Sequence, residues 1–259
     1  VPAEPVFASL EVLVKAAVRV NGIDISYRGL EHIPAEGGGV IAINHTSYVD
    51  WLPAALAVHY RGRRLRFMIK QEMQEVPVIN FLINRTGTIP VDRSAGAGAY
   101  AVAVERLKAG ELVGVYPEAT ISRAFELKEF KTGAARMAAE ADVPIIPVIV
   151  WGSQRIWTKD HPRRLGRSKI PIIVEVGAPM RAADTMEQTL VALRTAMDEL
   201  LHRVQEEYPH PSGAFWVPRR LGGGAPTLEE AKVLDEAELA ERALRAQRKG
   251  ARRRVKSRK

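Results

Sequence analysis

Residues 40–50 read Val40-Ile41-Ala42-Ile43-Asn44-His45-Thr46-Ser47-Tyr48-Val49-Asp50. Four consecutive apolar residues after the turn-forming stretch Pro34 to Gly39 predict a short strand buried on both faces. From about Ser47 to Tyr60 the pattern turns helical, so a buried strand runs through a polar corner into a helix. A strand buried on both faces and followed directly by a helix is the building block of a parallel sheet covered on both sides.

The same alternation repeats outward from this unit. Phe7, Leu10, Val14, Ala17 and Val18 recur at helical spacing, which predicts an amphipathic helix over 6–20 that stops at Asn21-Gly22. Residues 23–27 alternate as a strand. Strands are predicted at 65–69, 87–91, 111–116, 143–151 and 172–176, with helices at 76–84, 100–108, 132–141 and 185–207 between or after them. The expected fold is therefore a single α/β domain with a mainly parallel central sheet flanked by helices. It carries an N-terminal amphipathic helix with the first strand (1–29), a main domain (30–209) and an appendage (210–259). In the appendage, Pro211, Gly213, Pro218 and Gly222-Gly223-Gly224 mark a linker, and a helix is expected from Thr227 to about Gln247 before a basic end.

Composition narrows the chemistry. The 259 residues contain no cysteine, which excludes a disulfide scaffold, a Cys-ligated zinc and a thiolate nucleophile. The longest apolar run, Val143 to Trp151, contains two prolines and is far below the roughly 20 residues that span a bilayer, so no transmembrane helix is expected. The opening Val1-Pro2-Ala3 shows no charged-then-apolar leader, and a cytoplasmic location is expected. The net charge of +8 is concentrated: residues 245–259 hold nine Lys or Arg and no acid, which leaves a net −1 on the preceding 244 residues. A basic end on a neutral body reads as an electrostatic tether to a polyanion, either nucleic acid or an anionic membrane surface. Without interleaved aromatic and basic residues on the body, nucleic-acid readout is not expected.

Three segments sit where parallel strands end, the side on which α/β folds place their sites. The first is Asn44-His45 with Asp50 five residues after the histidine; with Ser47 as helix cap, the Asp50 carboxylate can turn back toward the ring. A carboxylate on one ring nitrogen fixes the tautomer and leaves the other nitrogen as a base. No G-x-S-x-G elbow supplies a protein nucleophile, so the pair suggests direct attack by a substrate hydroxyl. The bland alternative is a capping arrangement of Ser47 and Asp50. The second segment is Gly87-Thr88-Ile89-Pro90-Val91-Asp92-Arg93, whose arginine precedes a small-residue helix start suited to a phosphate, or forms a surface turn. The third is Tyr116-Pro117-Glu118-Ala119-Thr120-Ile121-Ser122-Arg123, in which Glu118 can accept from substrate hydroxyls or cap the turn.

Taken together and in order, these segments resemble the glycerophospholipid acyltransferases of the PlsC type, the 1-acylglycerol-3-phosphate acyltransferases in particular. The N-H-x-x-x-x-D motif matches Asn44, His45 and Asp50, and a G-x-I-x-x-D-R form matches Gly87, Ile89, Asp92 and Arg93. The F-P-E-G-T-R-S motif stands as Tyr116 to Ser122, followed by Phe130-Lys131-Thr132-Gly133 for F-K-x-G, and V-P-I-I-P-V as Val143 to Val148. Lys70 and Glu72 stand where the family has K-x-E. The resemblance covers about residues 30–180 and implies the glycerol-3-phosphate acyltransferase-like fold.

It also implies a reaction, O-acyl transfer from acyl-CoA or acyl carrier protein to a lysophospholipid hydroxyl in phospholipid biosynthesis, with 1-acylglycerol-3-phosphate as acceptor and phosphatidic acid as product. His45 would be the base and Asp50 its orienting partner. Arg93, Glu118, Thr120, Lys70, Arg123 and Lys131 would bind substrate, without metal or bound cofactor. The implied place of work is an anionic membrane surface at the inner face of the cell membrane, reached through the 6–20 helix and the basic end. Two departures stand out. Ala119 replaces the motif glycine and Ile121 its arginine, so a cation for the acceptor phosphate is missing at that position and Arg123 is the nearby substitute. A sugar- or inositol-bearing acceptor, a transacylase or hydrolase using the same dyad, and a non-catalytic lipid-binding protein are the alternatives.

Overall fold

The computed structural model describes residues 5–75, 77–91, 97–164 and 166–256. Its central element is a seven-stranded sheet: β1 (Asp24–Arg28), β2 (Gly39–Ile43), β3 (Leu65–Lys70), β4 (Ile89–Val91), β5 (Leu112–Val115), β6 (Ile145–Trp151) and β7 (Pro171–Val176). They lie in the order β1-β7-β6-β2-β5-β3-β4, and every neighbouring pair is parallel except β6 with β7. The exception has a local cause. Residues 152–170 contain Pro162 and Gly166 and, among the described residues, no α-helix that would carry the chain over the sheet to a parallel start, the usual connection between parallel strands.

Strand β2 lies between β5 and β6, and Val40 to Ile43 are wholly buried. Its register places Ala42 opposite Val115 and Ile43 opposite Val148, which aligns the carboxyl ends of β2, β5 and β6 along one edge of the sheet. The helices are α1 (Pro5–Val20), α2 (Trp51–Tyr60), α3 (Pro77–Thr86), α4 (Ala97–Lys108), α5 (Gly133–Ala141), α6 (Met186–Glu207) and α7 (Leu228–Lys256). On α1, Phe7, Val14 and Val18 are half-buried, and Glu11 pairs with His59 at 3.0 Å. On its other face Val12, Leu13 and Val20 are 68%, 64% and 73% exposed.

The chain separates into two compact units. One is made of residues 1–121 and 129–209 and holds the whole sheet; the other joins residues 122–128 to 210–259. Within the second unit, Arg123 and Lys128 pair with Asp235, Arg123 also pairs with Glu238 at 2.9 Å, and Arg220 pairs with Glu126 at 2.7 Å. The excursion of residues 122–128 into this unit is absent from the sequence reading, because its partners lie more than 90 residues away. The final helix also outruns its expected end near Gln247 and continues to Lys256. Arg, Lys and Ala are good helix formers, and Gly250 costs only about 1 kcal/mol. Among the described residues no helix is long and apolar enough to cross a membrane.

Candidate active site

The polar corner after β2 is built by hydrogen bonds to its own residues and to the segment that follows β6. Asn44 extends the ladder with its side chain: Nδ2 donates to the Val150 carbonyl at 3.1 Å, and the Val150 N–H donates to Oδ1 at 2.7 Å. Thr158 Oγ1 donates to the Thr46 carbonyl at 2.7 Å, and the Tyr48 N–H to the Trp157 carbonyl at 3.0 Å. Ser47 Oγ accepts the Val49 N–H at 3.0 Å and lies 2.8 Å from the Trp157 carbonyl.

These bonds correct the expected helix start. Ser47 does not cap α2. The helix begins at Trp51, with Asp50 immediately before it, because Asp50 and Ser47 take up the local N–H groups and hold the chain out of the helix.

Within this corner the Asp50 carboxylate is fully buried. Oδ2 accepts the N–H groups of Thr46 and Ser47, each at 2.8 Å, and lies 3.2 Å from His45 Nδ1. The carboxylate thus engages the Nδ1 side of the ring. Nε2 is then the nitrogen left to take a proton. The imidazole is 18% exposed and stacks on Tyr116, with ring centroids 4.0 Å apart at 19°. Burial, and then the nearby Asp50 charge, push the Tyr116 hydroxyl well above the usual tyrosine range, so it remains a neutral group beside the dyad.

Glu118, 3% exposed, turns its Oε1 onto the backbone N–H of His45 at 2.7 Å. This oxygen therefore fixes the backbone of the histidine. Ala119, in place of the motif glycine, adopts φ 60°, the left-handed conformation in which glycine is at ease. Its N–H donates to the Tyr116 carbonyl at 3.0 Å, and the Thr120 N–H to that of Glu118 at 2.8 Å, closing a tight turn. The turn is joined to the next motif by the Lys131 N–H, which donates to the Pro117 carbonyl at 2.8 Å.

A cavity of about 330 Å³ opens beside this turn, lined by Val91, Tyr116, Pro117, Ala119, Lys131 and Gly133 among others. Three stretches separated in sequence thus converge on one pocket: the strand before Asp92-Arg93, the Tyr116 turn and the Lys131-Thr132-Gly133 start of α5. Asp92 and Arg93 lie outside the described residues. Lys70 pairs in register with Val91 at the end of β3, and its side chain and that of Glu72 are likewise not described. Thr120 is half-buried in the turn and Lys131 is exposed. Arg123 departs from expectation. Its guanidinium, 7% exposed, pairs with Asp235 and Glu238, and Ile121, at the position of the motif arginine, is buried. Ser153 is absent from the sequence reading, although its hydroxyl lies 2.5 Å from Asp50 Oδ1; no motif spacing links two residues 103 positions apart.

Residues 24–151 match the acyltransferase family model. Over 182 residues the chain is 26% identical to the 1-acyl-sn-glycerol-3-phosphate acyltransferase of Bacillus subtilis, covering 68% of this chain and 86% of that protein. It is 25% identical over 157 residues to the enzyme of the same name from Borreliella burgdorferi, covering 60% of this chain and 62% of that protein. The fold is similar to that of the 1-acyl-sn-glycerophosphate acyltransferase PlsC from Thermotoga maritima, with a TM-score of 0.66 at 21% identity over 78% of this chain and 81% of that one. The matched segment contains the dyad, the Tyr116 turn and the strands that carry them, and along it the chain is similar to the acyltransferase family and to the 1-acyl-sn-glycerol-3-phosphate acyltransferases.

Proposed function

We propose that the chain transfers a fatty acyl group from a thioester donor, acyl-CoA or acyl carrier protein, to the free hydroxyl of 1-acylglycerol-3-phosphate, yielding phosphatidic acid. The observation that carries this reading is the His45–Asp50 contact, with the ring stacked on Tyr116, a residue of the cavity wall. His45 Nε2 takes the proton of the acceptor hydroxyl as its oxygen attacks the thioester carbonyl. Asp50 holds the ring and stabilises the imidazolium that forms. Collapse of the tetrahedral intermediate breaks the carbon–sulfur bond, and the departing thiolate takes the proton back from His45. The names of the relatives supply the acceptor class. With Arg123 engaged elsewhere, the acceptor phosphate is assigned to Arg93, Lys131 and Lys70, with Thr120 as a polar neighbour.

The lipid acceptor requires a membrane surface. We place the chain peripherally on the inner face of the cell membrane, with the outward apolar face of α1 and the basic end of α7 as contacts. The test is an assay of the purified full chain with labelled oleoyl-CoA or oleoyl-carrier protein against a panel of lysophospholipids in mixed micelles. Transfer is expected to be fastest to 1-acylglycerol-3-phosphate. Fastest transfer to lysophosphatidylinositol would replace the acceptor, and transfer to none of them would overturn the reading.

A further inference from the structure

The two oxygens of Asp50 are served from different sides. Oδ2 faces the Thr46 and Ser47 N–H groups and His45, all within six residues of the carboxylate. Oδ1 takes the Ser153 hydroxyl at 2.5 Å, and Ser153 is its one donor among the described residues. Ser153 belongs to the single helical turn Ser153–Arg155 after β6, just past the segment that matches the family model. It is wholly buried, and its carbonyl lies 3.1 Å from Ser47 Oγ. Ser153 therefore holds the corner at two points, through its hydroxyl on the carboxylate and its carbonyl on the Ser47 side chain.

The backbone just before it is also constrained. Gly152 adopts φ 104°, and a Cβ there would lie 2.3 Å from the Pro171 carbonyl oxygen. Its N–H donates to Gln154 Oε1 at 2.8 Å. The chain thus makes a turn that a larger residue would not permit, and Ser153 follows it directly.

We infer that Ser153 is a positioning residue of the acyl transfer, fixing the plane of the Asp50 carboxylate so that Oδ2 stays on His45 Nδ1 and the ring keeps Nε2 as its base. The inference rests on the proposed role of His45. A serine beside a His–Asp pair invites a nucleophile reading, but here the hydroxyl lies on the far oxygen of the aspartate, buried, with its proton directed to the carboxylate. It acts through Asp50 and touches no reacting atom. Among the described residues, the other titratable groups facing the dyad are Tyr116, stacked on the ring, and Glu118, on the His45 N–H; both come from the turn after β5, and every variant below leaves them in place.

Removing the Ser153 donor leaves Oδ1 unpaired and the carboxylate more basic. The pair then holds its proton to higher pH and the oriented base is less available. In Ser153→Ala, kcat for oleoyl transfer to 1-oleoylglycerol-3-phosphate is expected to fall about tenfold, the size expected for loss of one hydrogen bond to a charged group. KM for both substrates should stay near that of the unaltered chain, and the acid limb of the kcat/KM pH profile should move to higher pH. Ser153→Thr, which keeps the hydroxyl, should restore the limb and most of the rate. If Ser153→Ala does not fold, Ser153→Cys, close in shape with a weaker donor, carries the same test.

Unchanged rate and profile in Ser153→Ala overturns the inference. So does an equal loss of rate in the Ala and Thr variants with an unmoved acid limb, the signature of a packing role alone. Nitrogen-15 NMR of the His45 ring, assigned by the signal missing in His45→Ala, gives the same answer without substrate: its titration should move to higher pH in Ser153→Ala and return in Ser153→Thr. His45→Ala separates the two levels of argument. If it still turns over, the base assignment fails; if it is inactive while Ser153→Ala is normal, only the role of Ser153 fails.

Discussion

Ala119 sits at φ 60° in the turn that lines the pocket, a conformation costing a residue with a Cβ about 1–2 kcal/mol. Glycine would remove that cost but lose about 0.5–1 kcal/mol more backbone entropy on folding. Ala119→Gly should therefore stabilise the chain by about 0.5–1 kcal/mol, visible as a small rise in Tm by calorimetry; a fall in Tm would mean the turn is not strained at this residue. The dyad makes a different kind of prediction. His45→Ala should abolish transfer, and Asp50→Asn should slow it by about 10²–10⁴ while lipid binding persists, because general base catalysis has that typical magnitude. Single-turnover kinetics with bound lysophospholipid would separate binding from chemistry, and near-normal turnover in His45→Ala would remove the mechanism. The sequence made His45, Asp50 and the Tyr116 turn legible, since each lies in a short local pattern. The Glu118 bond to the His45 N–H could not be read there, because it depends on two strand ends being brought together.

Among the elements, α1 departs most from a simple surface helix. One side carries the half-buried Phe7, Val14 and Val18, and the opposite side exposes Val12, Leu13 and Val20. The helical periodicity picks out the first set, and the second is the face we assign to the lipid surface. Val12→Asp with Val20→Asp should weaken co-sedimentation with phosphatidylglycerol vesicles and leave Tm nearly unchanged, since both residues are already exposed and lose little burial. A large drop in Tm would show instead that this face is packed in solution. The helix α7 was legible up to its charge reversal and no further. Local propensity continues through Lys256, whereas a run of cations without acids reads as a solvated tail.

For the whole molecule, both electrostatics and burial can be tested by changing the solvent. Deleting residues 245–259 removes nine cations and none of the pocket residues. Binding to anionic vesicles should fall strongly in low salt and little in high salt. Each cation near such a surface contributes about 1 kcal/mol, and exposed charges are screened beyond roughly 8 Å at physiological ionic strength. Equal co-sedimentation of the truncated and intact chains in low salt would leave α1 as the lipid contact.

The second test is alkaline. Burial is the first cause raising the hydroxyls of Tyr27, Tyr100, Tyr116 and Tyr208 above the ordinary tyrosine range. A group whose folded pKa is raised contributes its full stability below the unfolded value, near 10, and loses it as the pH rises toward the folded one. Tm should therefore hold below about pH 9.5 and fall progressively above pH 10. Tyr116→Phe, which restores the usual motif residue, should reduce that fall. A Tm independent of pH in this range would contradict the buried hydroxyls.

The sequence by itself determined the alternation of strands and helices, the strand-end position of the three motifs and the family they resemble. Each of these is written in runs of about ten residues, where side-chain periodicity and turn chemistry act locally. Tertiary structure decided what local pattern cannot carry. It set the antiparallel return of β7, where the described residues form no crossover helix, and the start of α2 at Trp51, where side chains compete for the backbone. It engaged Arg123 with Asp235 and Glu238, and it placed Ser153 on Asp50 across 103 positions. The physical reason is common to these last two: a hydrogen bond or ion pair between distant residues depends on where the sheet and helices deliver them, and that depends on the packing of the chain around them.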